Sequence, residues 1–112
     1  MMRNFYTVVL ERMARFRTDF ATEPYEVGWA SEAIFFVKIH ELKGEQACVT
    51  ARAQVSVDGI EWIDESPQLI KADQEGSYFL RASHFGGWLR LRNELSGKDP
   101  AVRVTIQLVL KE

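Results

Sequence analysis

A single cysteine, Cys48, excludes an internal disulfide, so packing alone must hold this chain together. A disulfide-free chain this small points to a reducing compartment, either the cytoplasm or a particle assembled there. Nothing around Cys48 marks an activated thiol, and it reads as a small residue at the start of a strand. Charge of one sign is also scarce. The formal net charge is -2, so no basic field draws the chain to nucleic acid or to an anionic membrane. Long apolar runs are missing. The greasiest stretch, Ala33-Ile34-Phe35-Phe36-Val37, is bracketed by Glu32 and Lys38 and is far too short to span a bilayer. Thr7-Val8-Val9-Leu10 is closed off by Glu11 and Arg12, so no signal peptide is expected.

Chemistry-bearing residues are sparse as well. The two histidines, His40 and His84, have no spacing that pairs them with Cys48 as a nucleophile and base. CxxC, HExxH and DxDxDG patterns are missing, and no glycine-rich phosphate loop precedes a helix. Asp58, Glu61, Asp64 and Glu65 gather around a turn, but their spacing fits a solvated hairpin tip better than a calcium loop. The expectation is a protein that is not an enzyme, with no catalytic residues, no metal and no cofactor.

What is present is two-residue alternation, twice. From Val49 to Val57 every odd position is apolar and every even one polar. From Val102 to Leu110 every even position is apolar. Strand side chains point alternately to opposite faces, so each run has one core face and one outer face. Residues 32–42 read as a third strong strand, apolar on both faces at its start. Lys43-Gly44-Glu45 is read as the turn leading into 48–57, Asp58-Gly59 as a tight turn into a partner at Ile60–Ile63, and Ser96–Pro100 as a loop before the last strand. Residues 5–17 favour a strand on their Phe, Tyr, Val and Thr content. Tyr78–Ala82 and Trp88–Arg92 supply two more. The pattern predicts an all-β, antiparallel β-sandwich, jelly-roll-like, of seven or eight strands. It forms a single domain over 1–112, with 18–31 as an arm or long connection.

Two resemblances lie in the second half, over residues 49–111. Ser56-Val57-Asp58-Gly59-Ile60-Glu61-Trp62 resembles the S-x-D-G-x-x-W hairpin of discoidin-like modules. Phe85-Gly86-Gly87-Trp88-Leu89-Arg90-Leu91, followed by a closing strand that ends Leu108-Val109-Leu110-Lys111, is similar to small all-β proteins of phage and prophage particles. The first half matches neither pattern. An Asp-box needs one more residue between Asp58 and Gly59, which argues against a sialidase-type reading.

The phage-like resemblance implies an assembly protein, and the residues agree with it. An arm at 18–31 is suited to adding a strand to a neighbour or wrapping it, and a strand apolar on both faces asks for extra cover. The expected partner contacts are Phe20, Tyr25, Val27 and Trp29 on the arm, Ile34 and Phe36 on the strand, and Trp88, Arg90, Arg92 and Arg103. The last four would share an outer face if the two final strands pair, with Arg52 beside them, and tryptophan and arginine are enriched at interfaces. The expected partner is a second copy or a larger protein assembly. The alternative is a carbohydrate-binding module of discoidin-like type that uses Trp62 or Trp88 with Asp58, Asn93 or His84.

Overall fold

The computed structural model describes residues 5–65, 67–83 and 85–112. Among these described residues run eight strands: β1 (Phe5–Phe16), β2 (Phe20–Ala21), β3 (Tyr25–Glu26), β4 (Glu32–Ser56), β5 (Ile63–Asp64), β6 (Ile70–Ala72), β7 (Gly76–Ser83) and β8 (Trp88–Lys111). All pairings are antiparallel. The fold is the expected all-β, sandwich-like one.

Two very long strands organise it. β4 has 25 residues and β8 has 24, and they pair with each other from Glu32↔Lys111 to Ser56↔Trp88. This ribbon bends in its middle, which gives two layers. In layer A, β1 flanks the C-terminal part of β8, and β7 flanks the N-terminal part of β4. In layer B, β2 and β3 flank the N-terminal part of β8, and β5 and β6 flank the C-terminal part of β4.

The bend is built into the sequence. Gly44 has φ +119° and Gly97 has φ +105°, a region that favours glycine. A Cβ on Gly97 would lie 2.8 Å from Ala47 Cα and from the carbonyl oxygens of Glu45 and Gln46. Asp99 and Gln46 also take positive φ, and the β4–β8 register slips three times between Ile39 and Cys48. The slips leave layer A and layer B one residue out of phase. On β8 the buried positions are therefore odd in layer B (Leu89, Leu91, Asn93) and even in layer A (Val102 to Leu110). Both sets face a common core with Ala33, Phe35, Val37 and Ile39 from one end of β4, and Val49, Ala51 and Ala53 from the other.

Four sequence expectations are corrected here. Lys43-Gly44-Glu45 and Ser96–Pro100 are bends inside continuous strands, not a turn and a loop between strands. The Asp58-Gly59 turn returns only Ile63–Asp64 to pairing, because Asp58 diverts the chain first. Val57 lies outside the core and is 90% exposed, since β4 has ended at Ser56.

The 18–31 segment folds back on its own β8. Its edge contacts are specific. Asp19 Oδ1 accepts the Leu95 N–H at 2.8 Å, and buried Thr22 exchanges two bonds with Leu91. Val27 N–H donates to Gly87 O at 2.7 Å. These side chains satisfy backbone groups of β8 that two short strands would otherwise leave open.

Candidate functional site

The outer face of layer B carries the basic and aromatic residues. Alternation along β8 puts Trp88, Arg90 and Arg92 on this face. The register sets Arg92 opposite Arg52, Arg90 opposite Gln54, and Trp88 opposite Ser56. Gln54 fixes the centre: its Nε2 donates to Asp64 Oδ1 at 3.1 Å, and its Oε1 accepts Arg90 Nε at 2.8 Å. The Arg90 guanidinium lies 4.4 Å from the centroid of the Trp62 ring. It is thus held by a stack and a hydrogen bond together. Burial, and then the charge of Arg92, hold its pKa below the ordinary arginine value.

The turn beside this face is ordered by one carboxylate. Asp58 Oδ1 accepts the N–H groups of Ile60 and Glu61 and the Ser56 hydroxyl, and Ser56 Oγ accepts the Gly59 N–H. These bonds to the charged form hold the Asp58 carboxyl below its usual range. The turn places Gly59 against Trp88, where even a Cβ would meet the indole at 3.5 Å. Trp62 therefore lies under Arg90, and Trp88 lies against Gly59.

The outer face of layer A is different. The register aligns Val9, Gln107, Phe36 and Phe79 in one row across four strands, and Thr7, Val109, Ile34 and Arg81 in the next. Phe36 is 43% exposed and Phe79 is 52% exposed, with ring centroids 6.5 Å apart. The Arg81 guanidinium rests on Phe79 at 4.9 Å. An open groove of about 920 Å³ runs beside them, lined by Ile34, Pro67, Leu69 and Arg81 among others.

The structure separates the sequence-derived contact residues into three groups. Ile34 and Phe36 lie on the outer face of layer A, and Phe79, which the sequence reading passed over, is their cross-strand neighbour. Its signal was present: Tyr78-Phe79-Leu80 is apolar on both faces, as Ile34-Phe35-Phe36 is. Trp88, Arg90 and Arg92 are together on layer B. Arg103 is not with them, because residues 88–111 form one bent strand rather than two paired ones. It lies on layer A, ion-paired with Glu41 at 3.0 Å.

The arm residues form the third group. Val27 is completely buried in the chain's own core and has no surface left for a partner. Phe20 stacks on Phe16 with centroids 3.5 Å apart, and Tyr25 packs against the core. Trp29 alone among the four is exposed, at 44%.

Of the residues weighed for chemistry, His40 occupies a register slip of β4, with Nε2 2.8 Å from Thr105 Oγ1. His84 lies outside the described residues. Asn93 is fully buried and faces the core, so it is not a surface contact for a sugar. Among the described residues no group of three or more His, Cys, Asp or Glu side chains could hold a metal ion, and no helix is long and apolar enough to cross a membrane.

No protein-family model and no curated protein matches the sequence. Similarity to solved structures is extensive in shape and slight in sequence. The chain is similar to the SPBc2 prophage-derived protein YomS, at 12% identity and a TM-score of 0.59, over 100% of this chain and 96% of that one. It is similar to a chain of infectious bursal disease virus, Gx strain, at 9% identity and a TM-score of 0.65, over 97% of this chain but only 32% of that one. It is also similar to the CBM36-1 domain of a multidomain xylanase from the hindgut metagenome of Trinervitermes trinervoides, at 8% identity and a TM-score of 0.54, over 95% of this chain and 96% of the domain. At such identities the likeness establishes a shared fold.

Proposed function

We propose that this protein is a non-catalytic structural subunit that associates with copies of itself through the outer face of layer A. The observation that carries this reading is the pair Phe36 and Phe79, two large aromatic side chains left half in water at the centre of a sheet face. Half-buried Ile34, Val9 and Val109 extend the apolar surface around them. Large aromatics ringed by arginine and polar groups match the composition of interface centres. The role of the 18–31 arm is to close the β8 edge of layer B within its own chain, leaving the face of layer A to do the binding. The fold shared with a prophage-derived protein and with a chain of a virus agrees with a place in a larger assembly.

Sedimentation equilibrium across the micromolar range tests this. The expected mass exceeds the 12.9 kDa of one chain. Phe36→Ser with Phe79→Ser should return the protein to a monomer with an unchanged circular dichroism spectrum. A wild-type protein that stays monomeric throughout overturns the reading.

The second reading is a carbohydrate-binding module, favoured by the likeness to the xylanase CBM36-1 domain. The two tryptophans that would stack a sugar are each already faced on one side, Trp62 by Arg90 and Trp88 by Gly59. A neutral-sugar platform on these rings is thereby weakened.

A further inference from the structure

The outer face of layer B holds three arginines whose arrangement the assembly reading does not use. Arg52 and Arg92 are directly opposed across the β4–β8 ladder, and Arg90 is the next outward residue of β8. Like charges placed opposite each other on a sheet are destabilising. Nearby carboxylates do little to offset this. Among the described residues only Asp19 reaches any of the three, at 3.9 Å from Arg92. Asp64, the acid closest in register to Arg90, is engaged by Gln54 instead. The Arg90 fork is fixed by Trp62 and Gln54 through its flat face and its Nε. No acceptor among the described residues meets its two terminal nitrogens. A fixed guanidinium with its terminal donors free, next to two further cations, is a preformed receptor for an oxyanion.

The surroundings narrow the ligand. Asp19 lies beside Arg92, and Glu26, Asp64 and Glu94 lie around the cluster on the same strands or their register partners. A continuous phosphate backbone crossing the face would meet these acids, and the faced tryptophans offer poor stacking for bases. One or two oxyanions on a chain that is otherwise polar and uncharged avoid both penalties. Hydroxyl groups beside the anion would meet amide and carboxylate partners in Gln54 and Asp64. We propose that Arg52, Arg90 and Arg92 form a binding site for the sulfate or carboxylate group of an acidic glycan. The site stands on geometry independent of the self-association face, which lies on the other layer.

The test is titration of tryptophan fluorescence, with Trp62 under Arg90 as reporter. Four probes are compared: a keratan tetrasaccharide bearing a single sulfate, neutral xylotetraose, inorganic sulfate and a short oligothymidylate. The expected result is saturable binding of the sulfated tetrasaccharide, with much weaker response to the other three. Arg90→Gln and Arg52→Gln should each weaken it about tenfold, the effect of losing one charge-assisted hydrogen bond. Arg12→Gln, an exposed arginine of β1 in the opposite layer, should leave it unchanged. Arg90→Lys keeps the charge but loses the fork, and an intermediate loss is expected if Arg90→Gln proves unstable.

Absence of saturable binding to the tetrasaccharide overturns the proposal. So does equal loss in Arg12→Gln, or oligothymidylate binding as tight as the glycan, either of which marks general charge attraction. Inorganic sulfate binding as tightly as the tetrasaccharide would overturn the glycan as its source.

Discussion

Asp58 shows how much one side chain arranges in this protein. Its carboxylate collects two backbone N–H groups and a hydroxyl, ends the pairing of β4, and directs Gly59 onto Trp88 and the following residues towards Trp62. Its pKa is lowered from 3.8 by bonds to Ile60, then Glu61, then Ser56. A depressed acid contributes stability that is fully present above its unfolded pKa and is lost as pH falls through the folded one. The amide resonances of Ile60 and Glu61 should therefore titrate together with a midpoint below 3.8. Asp58→Ala should abolish that titration and lower the melting temperature at neutral pH, and its deficit against the wild type should shrink in acid. Amides that shift with a midpoint at or above the ordinary aspartate value would show that the three bonds do not form in solution. Val57, one residue earlier, makes the complementary point. Its place in the alternating pattern marked it as core, but Asp58's competing bonds to the backbone end the strand before Val57 can turn inward.

Among the elements, β4 and β8 decide the architecture, and their continuity was the part least legible in the sequence. The alternation of residues 49–57 and 102–110 correctly gave strands and their buried faces, apart from Val57, which is exposed, and Ser56, which is buried. The segments 32–42 and 88–92 were equally readable. What could not be read was that 32–42 and 48–56 are one strand, and 88–96 and 101–111 another. A bend inside a strand and a turn between strands draw on the same residues, here Gly44, Gln46, Gly97 and Asp99, all at positive φ. Only the pairing of each segment with a partner distant in sequence tells them apart. That error also placed Arg103 beside Arg90 and Arg92, when the bend carries it to the other layer. The bend has its own test. Gly97→Ala puts a methyl group 2.8 Å from the backbone of β4 on top of an unfavourable φ, and should cost about 2 kcal/mol or more. Gly86→Ala, whose Cβ would meet only Ser56 O at 3.5 Å, should be close to neutral. Urea denaturation reads both. The midpoint of Gly97→Ala should fall with the slope unchanged, and equal midpoints for the two variants would mean the bend is more pliable than its geometry implies.

At the scale of the whole molecule, the continuity of β4 and β8 makes the two layers a single cooperative unit. Each long strand contributes side chains to both ends of one core, with Phe35 and Ala51 on β4 and Leu91 and Ile106 on β8, all four fully buried. Opening layer B alone would strip half of each strand's ladder and expose the inner face of layer A along with it. The chain ends add to this, since Phe5 pairs with Lys111, and Lys111 also pairs with Glu32. Sheet closure therefore spans nearly the whole sequence, a topology that folds slowly because distant segments must meet before any ladder is complete. The expected outcome is one calorimetric transition whose van't Hoff and measured enthalpies agree. Native-state hydrogen exchange should then give the amides of Leu91, in layer B, and Ile106, in layer A, the same opening free energy, equal to that of global unfolding. Thr22→Val sharpens the comparison. It removes the acceptor for the buried Leu91 N–H, which should cost about 1–3 kcal/mol. In a single cooperative unit that loss should lower the protection of Ile106 as much as that of Leu91. A loss confined to Leu91 and its neighbours would show instead that layer B opens by itself, with the ribbon bend acting as a hinge between two separable halves.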